Sequence, residues 1–200
     1  MSLLRPSPLA VNTGQLPGGE FSPDERTTLL RLAHDSILSL LEGREIPLDP
    51  PTVHLAEPRG AFTSLYLSGQ LRGCVGYVLA VSPVYRAVAD TARAAAFEDV
   101  RFRPVTLPEA PHLEIELSIL SEPQPIPPEA IEIGRHGLLV SRAGRRGLLL
   151  PQVSTEHHWD RATFLEQTCR KAGLPLDAWK NGAMIEAFTA EVFGEKHAPD

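Results

Sequence analysis

Leu71-Arg72-Gly73-Cys74-Val75-Gly76 is the stretch of this 200-residue sequence whose residue types point most directly to chemistry. Side chains alternate between faces along a strand, so Arg72, Cys74 and Gly76 are expected to share one. A guanidinium beside a thiol favours the thiolate and lowers its pKa, as a nucleophilic or redox cysteine requires. Gly73 and Gly76 remove bulk beside the sulfur, so another backbone or a ligand can approach closely. The same residues also fit a structural strand with a buried cysteine and Arg72 paired to a carboxylate.

A second centre is Asp99-Val100-Arg101-Phe102-Arg103. An aspartate with two arginines can build a charge-assisted network, or leave one guanidinium for an anion. It can equally be a loop pinned by its own Asp–Arg pair. Asp99 and Arg101 are therefore candidate substrate-binding residues, with Gly73 and Gly76. His136 titrates near neutrality and is the candidate base for Cys74. A hydrogen-bonded turn histidine is the plainer alternative. His157 and His158 follow Glu156, but adjacent side chains diverge, so no metal site is predicted and no cofactor is implied. There is no phosphate-cradling glycine loop and no serine nucleophile elbow.

The elements that must position these residues are legible in order. Ser22, Pro23 and Glu25 form a cap, first-turn proline and capping box. They open a helix striped by Leu29, Leu32, Ala33, Ile37, Leu40 and Leu41, which Gly43 ends. Ala61 to Leu67 and Leu71 to Leu79 flank a Ser68-Gly69-Gln70 turn and predict a hairpin. Ser82-Pro83 is expected to open an alanine-rich helix, and 97–104 leaves it as an irregular segment. His112 to Leu120 alternates apolar and polar residues, with Glu114 and Glu116 on the polar face. The prolines at 123, 125, 127 and 128 suggest a stiff connection between lobes. A second hairpin around Arg142 to Arg146, a helix from about Asp160 to Ala172 and a last strand from Ile185 to Phe193 complete the chain. Cys169 falls on the apolar stripe of that last helix and is expected in the core.

Composition sets limits on function. The chain has 42% hydrophobic and 22% charged residues, an ordinary globular balance rather than a disordered one. Its 19 basic and 25 acidic side chains leave a net charge of −6, which argues against a nucleic-acid partner. No apolar run reaches the roughly 20 residues of a membrane span. Two cysteines cannot build a disulfide framework, so free thiols in a reducing cytoplasm are expected. The Pro/Gly-containing start, residues 1–20, reads as a flexible leader before a single domain over 21–195, with an internal boundary near 121–130. Hairpins mixed with helices imply antiparallel pairing, hence an α+β fold.

The hexapeptide Leu71–Gly76 resembles the signature of the AMMECR-one domain family, also called protein A of the AmmeMemoRadiSam system. Ala95 to Val105 is similar to the family's second block, and Arg135 to Leu138 with Gly147 to Val153 to its third. Trp159, Phe164-Leu165, Cys169 to Leu174 and Trp179 resemble its closing region. The resemblance runs from about Phe21 to Phe193. The departures are Val75, where isoleucine is usual, and a longer leader. It implies a two-lobed α+β fold, mainly antiparallel sheet flanked by helices, with the hexapeptide near a cleft between lobes. It supplies no reaction, but it suggests a Memo-like protein and a radical S-adenosylmethionine protein as partners, with an unknown small molecule. Two functions follow. One is a thiol-dependent enzyme with Cys74 as nucleophile, Arg72 as activator and His136 as base. The other is a non-enzymatic module that docks a protein segment.

Overall fold

A computed structural model describes residues 19–195. The leader expected at the start of the chain lies, through residue 18, outside the described residues. The chain divides into two compact units. Among the described residues, one holds 19–119 and 191–195; the other is Leu120–Ala190.

The first unit begins with α1, Pro23–Glu42, built as its cap residues predict. Ser22 Oγ accepts from Glu25 N–H, Glu25 reaches back to Ser22, and Gly43 closes the helix in the left-handed region at φ 66°. Its buried stripe departs from the expected one. Leu40 is 54% exposed, and Ser36 and Ser39 are buried instead. Both serines satisfy their hydroxyls locally, Ser36 on Leu32 O and Ser39 on Ser36 O, so the helix tolerates them inside. The hairpin follows as β1, Ala61–Leu67, and β2, Gln70–Tyr77.

Helix α2, Val84–Phe97, starts one residue later than the Ser82 cap predicts. Pro83 takes the cap position, and the Val84 N–H that a serine would have helped satisfy is donated to Glu57 O. Strand β3, Leu113–Leu120, buries Leu113, Ile115, Leu117 and Ile119, as its alternation requires. The first sheet runs β2-β1-β3 with a last strand, Ala190–Gly194, at its far edge. β1 pairs antiparallel with both β2 and β3. Its inner face packs with α1 and α2 into one apolar core, and Thr63 of β1 bonds Thr91 of α2 at 2.8 Å inside it.

The second unit contains β4, Gln124–Pro125; β5, Gly137–Arg142; β6, Arg145–Leu149; α3, Pro151–Glu156; α4, Arg161–Lys171; and β7, Met184–Phe188. Its sheet runs β4-β7-β5-β6, with all pairs antiparallel. Phe164, Leu165 and Cys169 of α4 are buried, as the sequence predicts. The last strand departs from expectation. The stretch read as one strand is two, β7 and β8 (Ala190–Gly194), which pair in different sheets. Thr189 separates them. Its carbonyl accepts from Ser121 N–H and its N–H donates to Ser121 Oγ, both at 2.9 Å. The two antiparallel sheets flanked by helices are the α+β class that the sequence predicts. No helix among the described residues is long and apolar enough to cross a membrane.

Candidate functional site

Cys74 sits on β2, directly opposite Ser64 of β1, whose hydroxyl donates to the sulfur at 3.2 Å. β2 is an edge strand, and an edge exposes backbone groups that invite another chain. The loop after α2 covers this one at Cys74. Asp99 Oδ2 accepts from Cys74 N–H at 2.9 Å, and Arg101 Nη2 donates to Cys74 O at 3.3 Å. Arg101 also forks onto Asp99, Nε to Oδ1 at 2.9 Å and Nη2 to Oδ2 at 2.6 Å. The carboxylate is 5% exposed, and the guanidinium bonds hold its pKa at about 2, against 3.8 ordinarily. The Asp–Arg network expected from the sequence is therefore built, and it closes on the backbone of Cys74.

Arg72 does not share that face. A β-bulge shifts the register between Leu65↔Gly73 and Tyr66↔Leu71, leaving Arg72 as the extra residue and breaking the alternation assumed for it. Its guanidinium bonds Glu109 at both oxygens, 3.2 Å each, and the carbonyls of Arg103 and Pro104. The cation acting on the thiol is Arg101 instead. The direction of the thiol's pKa also corrects the sequence reading. Burial pushes Cys74 up, and the Ser64 bond and Arg101 oppose it without prevailing. Asp99 and Glu116 add to the upward push.

The glycines are filled from within the chain. A Cβ on Gly73 would run into the backbone carbonyl of Ala95 in α2, and one on Gly76 into the Phe62 ring. The close approach is made by a backbone at Gly73 and by a side chain at Gly76. His136 belongs to the second unit, where its Nδ1 accepts from Glu132 N–H at 3.0 Å. Burial lowers its pKa, and the neutral ring then carries its proton on Nε2. It is built as the turn histidine of the plainer reading.

Three neighbours escaped the sequence reasoning. Ser64 and Tyr66 alternate with the buried Ala61, Thr63 and Leu65, a period-two signal that would have placed them beside Cys74. Tyr66 feels both Glu116 and Cys74, and burial raises its pKa. Glu109 carried no signal, because its partner Arg72 is 37 residues away. Glu109→Gln is expected to cost about 1–2 kcal/mol at pH 7 by undoing this clasp. The Arg72 bonds hold the Glu109 pKa at about 2, against 4.5 ordinarily. A depressed carboxyl stabilises the fold above its unfolded value and ceases to as pH falls through the folded one. In urea titrations the gap between wild type and variant should therefore shrink between about pH 4.5 and pH 2. A constant gap contradicts the assignment.

Glu20, His54 and Glu57 gather ligand atoms within 4.8 Å of one another, a group suited in residue type to a metal. Arg59 Nη2 bonds both carboxylates, at 2.6 and 2.8 Å, and already supplies a cation there. His157 stacks on Trp159 with ring centroids 4.6 Å apart.

The hexapeptide strand, the Asp99–Arg101 clamp, the second hairpin and α4 all fall within residues 30–193, the span that matches the AMMECR1 family. The chain belongs to the AMMECR1 family. A protein of Methanopyrus kandleri is 42% identical over 90% of this chain and 92% of its own length. One from Aquifex aeolicus is 38% identical over 84% and 91%. The crystal structure of an uncharacterised protein from Pyrococcus horikoshii superposes with a TM-score of 0.67 at 38% identity, covering 85% of this chain and 91% of that one.

Proposed function

We propose that this AMMECR1 protein is a binding module, and that the face around Cys74 docks a segment of a partner protein. The observation that supports this reading is the setting of the thiol. Burial and two nearby carboxylates push the Cys74 thiol up, away from the thiolate that a nucleophile needs, and Ser64 donates a hydrogen bond to its sulfur. Ser64, Tyr66, Glu114 and Glu116 lie with it on the half-buried polar face of the sheet, a surface suited to polar recognition. The partners we propose are a Memo-like protein and a radical S-adenosylmethionine protein, in a cytoplasmic setting.

A second reading has one observation in its favour. Cys74 is not sealed, and Arg101 acts on it in the direction of the thiolate. In that reading the protein is a thiol-dependent enzyme with Cys74 as nucleophile.

Alkylation of Cys74 by iodoacetamide, followed by peptide mass spectrometry from pH 6 to 10 in native and denatured protein, separates the two. For a binding module, native labelling is at least about tenfold slower than denatured labelling at pH 7. It rises only above the free-thiol value of about 8.5. Fast native labelling that has already levelled off near pH 7 overturns the docking reading in favour of the thiol enzyme.

A further inference from the structure

The tip of the β5–β6 hairpin gathers three arginines. Arg142, Arg145 and Arg146 line a concavity of about 480 Å³ together with Ser141, Gly182 and Met184. Among the described residues, no carboxylate lines it. All three arginines are exposed, and among the described residues none is ion-paired. This concentration occurs in a chain whose net charge is −6.

The register makes the arrangement costly without a counter-charge. Arg142 stands directly opposite Arg145, and like charges in that relation repel. The turn between them is only Ala143-Gly144, both left-handed at φ 49° and 77°, the two-residue geometry that matches strand twist and fixes the tip. Arg145 is further held by donation to Gly173 O at 2.6 Å. Arg142 and Arg145 thus share one face of the hairpin, and Arg146, opposite Ser141, borders the same concavity from the other. More positive charge lies beside them. A Cβ on Gly147 would strike the backbone of Ala172 at the end of α4, so Arg170 and Lys171, both exposed, flank the same hairpin.

Guanidinium groups offer paired N–H donors that match the oxygens of phosphate, and several together favour a multiply charged anion. We propose that the β5–β6 hairpin binds a small ligand bearing a diphosphate group through Arg142, Arg145 and Arg146. Met184, 57% exposed on the rim, offers apolar contact to the rest of such a ligand. The site is in the second unit and does not depend on the docking role of the Cys74 face.

Calorimetric titration of the full chain with inorganic pyrophosphate at low salt tests it. Saturable binding is expected, weakening as salt rises. The double variant Arg142→Ala, Arg146→Ala should weaken it by about tenfold or more. Arg31→Ala, which removes an exposed arginine on α1, should leave it unchanged. Both substitutions are at exposed positions, and matching melting curves will show that the variants fold. Three results overturn the proposal: no saturable binding up to millimolar pyrophosphate, an equal loss in Arg31→Ala, or tighter binding of a glutamate-rich peptide than of pyrophosphate. The last would make this an acidic-protein surface.

Discussion

Gly73→Ala will leave little folded protein. The added methyl group runs into the Ala95 carbonyl, which is backbone in the last turn of α2 and cannot rotate away as a side chain could. α2 is buried on nearly every side, from Val84 to Ala96, so it cannot retreat as a body without opening the core. Overpacking against fixed backbone belongs to the upper end of point-mutant effects, about 3 kcal/mol or more. Cys74→Ala, one residue away, removes only the bond from Ser64 and should cost about 1 kcal/mol. Urea unfolding of the two variants side by side is the measurement. A Gly73→Ala protein as stable as Cys74→Ala would mean that close helix–strand approach is not what this glycine provides.

The second large effect is expected at Asp99. Asp99→Ala strips a nearly buried carboxylate from Arg101 and leaves Cys74 N–H without its acceptor. Breaking such a pair on one side costs about 2–3 kcal/mol here, given that the guanidinium remains partly in water. Asp99→Asn keeps an acceptor and should cost about half as much. The charge change has its own signature at the sulfur. Burial, Asp99 and Glu116 push the Cys74 thiol up and Arg101 pulls it down, so Asp99→Asn removes one of the upward pushes and the thiol pKa falls. Labelling of Cys74 at pH 8 should be faster in that variant than in wild type, and slower in Arg101→Ala. The same order of effects on both variants, in either direction, would contradict the clamp. In wild type, the stability that Asp99 contributes is complete above about pH 4 and is lost as pH falls toward about 2.

How far the sequence could go is clearest at this site. The capping box of α1, the hairpin and the alternation of β3 are local patterns, read within a few residues, and the structure has them. Asp99 and Arg101 could be paired from sequence because they are two residues apart, yet their target, the Cys74 backbone, lies 25 residues from Asp99. Arg72 shows the limit. Strand periodicity put it beside the thiol, and a single extra residue in the register turned it to Glu109 and the Arg103 and Pro104 carbonyls. A bulge leaves no mark in hydrophobic alternation when the residues around it are glycine, arginine and cysteine. β7 and β8 illustrate the same gap, since one β-prone run can serve two sheets without any change of composition.

The bond pair between Ser121 and Thr189 bears on the order in which the molecule comes into being. Everything from Leu120 to Ala190 is an excursion out of the first unit, and β8 returns to that unit only after it. During synthesis the host sheet therefore waits with β3 at its rim, because the strand that finishes it emerges last. Closing so long an excursion is entropically costly for a loose chain. Once the guest has folded, residues 121 and 189 are already side by side, and β8 needs to find its place from only a residue or two away. The folded guest thus shortens the loop that must close before β8 can pair with β3.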